Sequence, residues 1–390
     1  MNFDEIIERR KTHSAKWDMM EKFFGVSADD GIAMWVADMD FRPPQVVTEA
    51  LQKRVDHGVF GYFGDDSAYR ASINWWMENR HGWSVDPDWI FTAHGLVNGT
   101  AMCIHTWTEP GDAVLLFSPV YYVFYKIITA AGRTVTESPL VNNNGRYEMD
   151  LEDAARRLTG REKMVVISSP HNPGGRCWTE AELQALGAFC QEHDLILVSD
   201  EIHCDLVFPG QKHVPAIKAL PDMHAKLAML TAPTKTFNLA AAHNGNIILP
   251  DATKRAEMET AMMGLGLSPN PFGLHMETAA YSPEGAAWVD ALMQYLEGNR
   301  QILDAGLAAI PGVKSMPLEA TYLSWVDFTD TGMPMDEVRR RIEKDARIAA
   351  SHGYTFGAGG ENFMRFNIAT PRALVQKAVS RLQAAFADLQ

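Results

Sequence analysis

Between about residues 89 and 250, the chain alternates short, continuous apolar runs with longer stretches of helical periodicity. A strand with one face in water alternates polar and apolar residues, whereas a strand covered on both faces is apolar throughout. The runs in this chain are of the second kind. We therefore predict an α/β fold in which helices cover both faces of a mostly parallel sheet.

The limits of these runs define the predicted elements. We expect strands at residues 90–92, 113–117, 163–168, 195–199, 227–231 and 246–249. We expect helices between them at residues 95–107, 121–130 and 179–193. Thr179 followed by Glu182 is the pattern of a capping box, which marks the start of the third helix.

The pattern changes after about Pro283. A long helix is predicted from near Glu284, followed by strands at residues 321–327 and 362–369 between helices near 334–350 and 371–389. A chain of 390 residues is long enough for a large and a smaller domain. We predict that residues 1–50 pack with the small domain, that residues 51–283 form the large domain, and that residues 284–390 form a small α+β domain.

Composition argues against several classes of protein. The formal net charge is −14 and Lys and Arg form no dense cluster, so no nucleic-acid-binding surface is expected. Pro119 and Lys126 interrupt the apolar stretch at residues 113–131, which favours a buried strand and helix over a membrane span. The first 18 residues lack the apolar core of a signal peptide. The four cysteines form no C-x-x-C pair and no zinc-type His cluster accompanies them, so we expect reduced thiols, no metal and a cytoplasmic location.

Polar residues follow five of the predicted strands, at the point where each strand ends. They are His94 with Gly95, Tyr121, Asn172, Asp200 with Glu201, and Lys235. Ligands of doubly wound sheets bind outside the carboxyl ends of the strands. The sequence therefore predicts one site at this edge of the sheet.

Three of these residues have side chains suited to a common chemistry. Lys235 has no carboxylate within several residues, and a lysine removed from water has a low pKa and a nucleophilic amine. Asp200 closes an apolar strand, where a buried carboxylate needs a cationic partner such as a pyridinium nitrogen. Asn172 lies in a loop stiffened by two prolines, from which its amide could donate to a phenolate oxygen.

Each residue taken alone also has a simpler interpretation. Lys235 could be a loop lysine, Asp200 a turn or cap residue, and Asn172 part of an Asn-Pro turn. Gly95 opens a helix whose N-terminus could bind phosphate, although any strand-to-helix turn offers this. Arg365, in an apolar strand, either binds a carboxylate or faces water from an edge strand.

Three motifs together resemble the fold-type I pyridoxal 5′-phosphate (PLP) enzymes of the class I/II aminotransferase superfamily. They are residues 169–175 (Ser-Pro-His-Asn-Pro-Gly-Gly), 199–203 (Ser-Asp-Glu-Ile-His) and 234–238 (Thr-Lys-Thr-Phe-Asn). Residues 35–41 (Trp-Val-Ala-Asp-Met-Asp-Phe), His203 and residues 236–240 (Thr-Phe-Asn-Leu-Ala) are similar to the cystathionine β-lyase branch of the C–S lyases.

The resemblance implies a role for each candidate residue. Lys235, Asp200 and Tyr62 would be catalytic. The large domain would bind PLP, with Lys235 forming a Schiff base, Asp200 facing the ring nitrogen, Asn172 and His203 at the ring hydroxyl, Tyr121 on the ring, and Gly95, Leu96 and Thr234 at the phosphate. Tyr62 would reach the phosphate of a partner subunit, which implies a homodimer, while Arg365 and Ala37 would bind a small amino-acid substrate.

Two positions depart from the wider family pattern at the phosphate. His243 stands where many aminotransferases carry an arginine, and Ala232 stands where a serine is common. Both changes make the predicted phosphate-binding part of the site less polar or less cationic. The Asn-Pro-Thr-Gly turn of the family reads Asn172-Pro-Gly-Gly here, which should loosen the loop without changing Asn172.

The resemblance implies PLP-dependent β-elimination of a cysteine S-conjugate such as cystathionine, giving thiol, pyruvate and ammonia. An aminotransferase on the same scaffold is the main alternative. A regulatory protein that uses the PLP fold to bind a partner is a weaker one, because every catalytic position is filled. A nucleotide-binding domain is disfavoured, since no G-x-G-x-x-G follows a strand and no P-loop is present.

Overall fold

A computed structural model describes residues 1–389 of the chain. Its strands are β1 (Ile32–Met34), β2 (Ile90–Ala93), β3 (Ala113–Ser118), β4 (Thr134–Pro139), β5 (Val141–Asn143), β6 (Arg146–Glu148), β7 (Glu162–Ser168), β8 (Ile196–Asp200), β9 (Leu227–Thr231), β10 (Gly245–Ile248), β11 (Lys314–Ser315), β12 (Leu323–Asp327), β13 (Ile348–His352) and β14 (Phe363–Asn367). Its α-helices are α1 (Ala15–Asp18), α2 (Met20–Phe24), α3 (Gln45–His57), α4 (Ser67–Trp76), α5 (Leu96–Trp107), α6 (Val123–Ala130), α7 (Leu151–Arg157), α8 (Glu180–Glu192), α9 (Ala216–Ala219), α10 (Pro233–Thr236), α11 (Ala252–Gly264), α12 (Pro271–Ala280), α13 (Pro283–Ala308), α14 (Met335–Arg340) and α15 (Arg372–Ala385).

The large sheet contains the predicted apolar strands. Its seven strands lie in the order β2-β10-β9-β8-β7-β3-β4. All are parallel except β10, which runs antiparallel to both of its neighbours. Strands β3 and β9 are buried at every position, because helices cover both faces of the sheet. The predicted α/β class with a mostly parallel sheet is confirmed.

The helices between these strands begin and end close to the predicted limits. The capping box at the start of α8 is present, since the backbone N–H of Glu182 donates to the Thr179 hydroxyl at 3.2 Å. In return, the backbone N–H of Thr179 donates to the Glu182 carboxylate at 2.8 Å. The edge strand β4 was not predicted, because its polar and half-exposed residues lack the continuous apolar pattern of the central strands.

The second sheet has five strands in the order β1-β13-β14-β12-β11. Strand β1 pairs in parallel with β13, so part of the N-terminal segment belongs to this sheet. The prediction of helix up to residue 350 was wrong: α14 and the π-helical turn after it end at Asp345, and Ile348–His352 forms β13. Arg347 turns the chain at a φ of +55°. The short apolar run after it is buried between two strands, a setting that periodicity alone does not distinguish from a buried helix.

The division of the chain into an N-terminal segment and two domains, at residues 50 and 283, stays a prediction. Residue 390, the last of the predicted small domain, lies outside the described residues. Within residues 1–389, every helix is too short or too polar to cross a membrane.

One buried carboxyl group makes stability depend on pH. Glu277 on α12 is fully buried, and burial raises its pKa from 4.5 to about 8. Between these two values the folded chain holds a proton that the unfolded chain releases, so the free energy of unfolding should fall as pH rises from 5 to 8 by a few kcal/mol. The E277Q variant should lose much of this slope, measured as the melting temperature across that pH range.

A matched control is E284Q, at an exposed position at the start of α13. This variant should keep the pH dependence of the parent protein. Equal slopes for E277Q and the parent would contradict the assignment of a neutral, buried Glu277.

Candidate active site

The carboxyl ends of the large-sheet strands surround a cavity of about 200 Å³. Most of the predicted site residues line it together. They are Ala37, Gly95, Leu96, Tyr121, Asn172, Asp200, His203, Thr234 and Lys235. Because the loops after β2, β3, β7, β8 and β9 end at the same edge, residues far apart in sequence meet there.

Lys235 lies on the single turn α10, directly after β9. Its amine donates to the carbonyl oxygen of Ala37 at 2.7 Å rather than to a carboxylate. The pKa of Lys235 is lowered to about 8, chiefly because the amine is buried; the positive charge of Arg365 acts in the same direction, while Asp38 and Asp200 oppose the shift. An amine with this pKa is in part unprotonated near neutral pH, so it can act as a nucleophile or a base.

Asp200 closes β8 at the floor of the cavity and is buried. Its carboxylate accepts a hydrogen bond from the backbone N–H of Ile202 at 3.1 Å. Burial raises the pKa of Asp200 to about 7. Because this buried carboxylate has so few donors, a cation bound in the cavity would stabilise its charged form. A protonated ring nitrogen is such a cation.

Asn172 and His203 provide polar groups on another side of the cavity. The side-chain oxygen of Asn172 accepts from Arg365 at 2.9 Å, which leaves the Asn172 NH₂ group to donate into the cavity. His203 is buried with its Nδ1 atom unpartnered, and burial lowers its pKa to about 3, so the ring is neutral. These groups suit an oxygen acceptor on a bound ring.

Backbone and small side chains form the opposite end of the cavity. Gly95 is the residue before α5 and has a φ of +80°, a conformation that a residue with a side chain rarely adopts. This turn directs the first N–H groups of α5, at Leu96 and Val97, toward the cavity end, where Thr234 also lies. His94 and His243 also line the cavity, and its described lining residues include no arginine, so an anion would be held there without a nearby arginine.

Arg365 lies on β14, in the middle of the second sheet, and is buried. The alternative of an edge-strand arginine facing water is wrong, because β14 pairs with β12 on one side and β13 on the other. Besides Asn172, its guanidinium donates to the carbonyl of Trp35 at 2.9 Å and to the Ser351 hydroxyl at 3.2 Å. Its Nε atom has no acceptor within residues 1–389.

Tyr62 does not reach the cavity of its own chain. It lies between α3 and α4 with its side chain fully exposed, and Val59 and Phe60 beside it are also exposed. Its proposed role concerns a second subunit, so it stays a prediction.

Residues 35–41, which we call the strap, pass over Lys235. The sequence did not predict the contacts that hold the strap in place. Asn238 donates to the carbonyls of Met39 and Phe41, and its oxygen accepts from the backbone N–H of Met39, all at 2.9 Å. The buried carboxylate of Asp40 accepts from Lys16 at 2.8 Å and from the Trp17 indole at 2.9 Å. The sequence marked residues 35–41 as a motif, but it gave no signal for partners so distant along the chain.

Comparisons with known proteins show the family to which this chain belongs. Residues 30–382 match the family described as aminotransferase class I and II. The chain is 40% identical to cystathionine beta-lyase PatB of Bacillus subtilis, and the match covers 99% of this chain and 100% of that protein. It is 31% identical to protein MalY of Escherichia coli, and that match covers 98% of this chain and 97% of MalY. Cystalysin from Treponema denticola, whose crystal structure contains pyridoxal 5′-phosphate, superposes with a TM-score of 0.95 at 32% identity over 100% and 99% of the two chains. The PLP-bound C–S lyase of Staphylococcus hominis gives a TM-score of 0.90 at 32% identity over 99% and 98%.

Proposed function

The chain belongs to the aminotransferase class I and II family, and on that basis we propose that it is a PLP-dependent carbon–sulfur lyase acting on cysteine S-conjugates. The observation that carries the proposal is a single cavity containing a lysine amine of low pKa, a buried carboxyl group short of donors and a free amide NH₂ group. Relatives named as cystathionine β-lyases or C–S lyases support elimination as the reaction.

The residues of the cavity fit PLP. Lys235 would hold its aldehyde carbon, Asp200 its ring nitrogen and Asn172 its ring hydroxyl, with His203 beside Asn172 and Tyr121 against the ring. Gly95, Leu96 and Thr234 would bind the phosphate through backbone N–H and hydroxyl groups. When bound, such a cofactor withdraws electrons from the Cα atom of an amino acid.

The chain's own residues would then bind and deprotonate the substrate. The Arg365 guanidinium would bind the substrate carboxylate, and this contact would fix the direction of the Cα–H bond. The Nζ atom of Lys235 would accept the Cα proton as general base. A thiolate leaves from Cβ with its bonding electron pair, and addition of water to the remaining fragment gives pyruvate and ammonia.

A panel of cysteine S-conjugates tests the proposed reaction. Purified protein supplied with PLP should release thiol and pyruvate in equal amounts, with no keto acid added. If the amino group is instead transferred only when a keto-acid acceptor is present, the protein is an aminotransferase and the lyase proposal is wrong.

The R365K variant should bind substrate poorly. Lysine keeps the positive charge but loses the planar fork, so KM should rise about 10- to 100-fold while kcat changes less. Steady-state kinetics with one S-conjugate measures both constants. The control is R161K, at an exposed position, and an unchanged KM for R365K would exclude this role of Arg365.

The proposal includes a homodimer with Tyr62 at the phosphate of the partner subunit. Support comes from the exposed apolar side chains of Val55, Val59 and Phe60, next to the exposed Tyr62, which make a surface suited to another protein chain. Light scattering should give twice the chain mass. In a mixture of K235A and Y62A chains, hybrid dimers should recover activity, because one of their two sites has both residues intact.

A further inference from the structure

The carbonyl oxygen of Ala37 accepts two hydrogen bonds at the centre of the site. One comes from the Lys235 amine at 2.7 Å and the other from the Tyr322 hydroxyl at 2.9 Å. A carbonyl oxygen has two lone pairs, so both donors can be accommodated at once. The strap therefore provides one fixed acceptor for the Lys235 amine, and the Tyr322 hydroxyl donates to the same oxygen.

Tyr322 is rigidly placed. It directly precedes β12, its side chain is fully buried, and its backbone carbonyl accepts from the N–H of Ile368 at 2.9 Å. Its ring meets the His203 ring edge to face, with centroids 6.0 Å apart. The carbonyl of Ala37 is the acceptor of its hydroxyl, and leaving that hydroxyl or that oxygen unpaired would cost free energy at this depth.

The neighbouring peptides of the strap are held by other side chains. Asn367 donates to the carbonyls of Val36 and Asp38, each at 2.6 Å. These bonds fix the peptides before and after Ala37, but they do not reach the Ala37 oxygen. When Lys235 is bound to another group and its amine leaves this oxygen, Tyr322 is the side chain that keeps the carbonyl in place.

We propose that Tyr322 is a positioning residue, which holds the Ala37 carbonyl as the resting acceptor of the freed Lys235 amine. One N–H of the amine donated to a fixed oxygen limits its lone pair to the other two staggered directions about the Cε–Nζ bond. The amine is then oriented for removal of the Cα proton whenever it is released. This inference rests on the proposed function, because it assigns Lys235 the role of base.

The Y322F variant tests the inference with little risk to folding, since the ring and its packing are kept. Rates should fall about 10- to 100-fold in kcat while KM stays within about threefold, because a misplaced base slows proton transfer without weakening substrate binding. Exchange of the Cα proton of L-alanine with solvent deuterium should fall by a similar factor. The control Y281F removes another buried tyrosine hydroxyl, one with no bond to the strap, and should stay within about twofold of the parent.

A second readout uses the cofactor-free protein. The rate at which an acylating reagent labels Lys235, followed by peptide mass spectrometry, gives the pH of half-maximal reactivity. In Y322F the Ala37 carbonyl would no longer be a fixed acceptor for the ammonium form of Lys235. The pH of half-maximal labelling should therefore move lower in Y322F and stay unchanged in Y281F.

The outcomes separate this inference from the proposed function. L-alanine has no leaving group, so its exchange reports the base even if no thiol is released. If the parent protein exchanges the Cα proton and Y322F matches it in exchange rate and labelling midpoint, the inference is wrong. A change in KM alone would also overturn it, whereas absence of both exchange and pyruvate in the parent protein would refute the proposed function itself.

Discussion

The K235A variant is expected to release pyruvate at least about 10⁴-fold more slowly than the parent protein, because the residue both holds the cofactor and moves the proton. Alanine cannot replace either role. The low pKa of Lys235 and its contact with Ala37, rather than with a carboxylate, are the properties that the reaction uses. Initial rates of pyruvate formation from one cysteine S-conjugate measure the effect.

The control for this variant is K226A, in which an exposed ion pair with Asp194 is removed. It should keep the parent rate and the parent visible absorption. A K235A protein that releases pyruvate at near-parental rate would exclude Lys235 as the base and would end the proposed mechanism.

The D200N variant should lose about 10³-fold in kcat. Asparagine has the same shape but no charge, so a ring nitrogen facing it would lose a stabilising interaction of about 4 kcal/mol, the value for charges ~4 Å apart at an effective dielectric constant near 20. That free energy corresponds to about three powers of ten in rate. Steady-state kinetics, together with the affinity for added PLP, measures the change.

D194N is the matched control, because Asp194 is an exposed aspartate on a turn. It should behave like the parent protein. D200E keeps the carboxylate and should recover part of the activity that D200N loses. A fully active D200N would show that no charge at this position is needed, contrary to the role we assign to Asp200.

The large sheet and the place of the site could be predicted from the sequence for a physical reason. Strands covered on both faces must be apolar throughout, so β3, β8 and β9 stand out from the helices around them. In such a sheet the residues after the strands must meet at one edge, so the sequence alone predicts that Asp200 and Lys235 lie close together.

Other features depend on contacts that local patterns do not encode. The run at β13 is apolar and short, and only its pairing with β1 and β14 makes it a strand. Likewise, the link from Tyr322 through Ala37 to Lys235 joins three parts of the chain separated by more than 80 residues. Neither residue type nor spacing marks such a link in a single sequence.

The proposed mechanism requires that Lys235 carries the cofactor. The most direct measurement is borohydride reduction of the protein loaded with PLP, followed by digestion and mass spectrometry of the peptides. We expect the reduced cofactor on the peptide that contains Lys235, attached to that residue. Attachment to a different lysine, or no attachment at all, would exclude Lys235 as the residue that carries the cofactor.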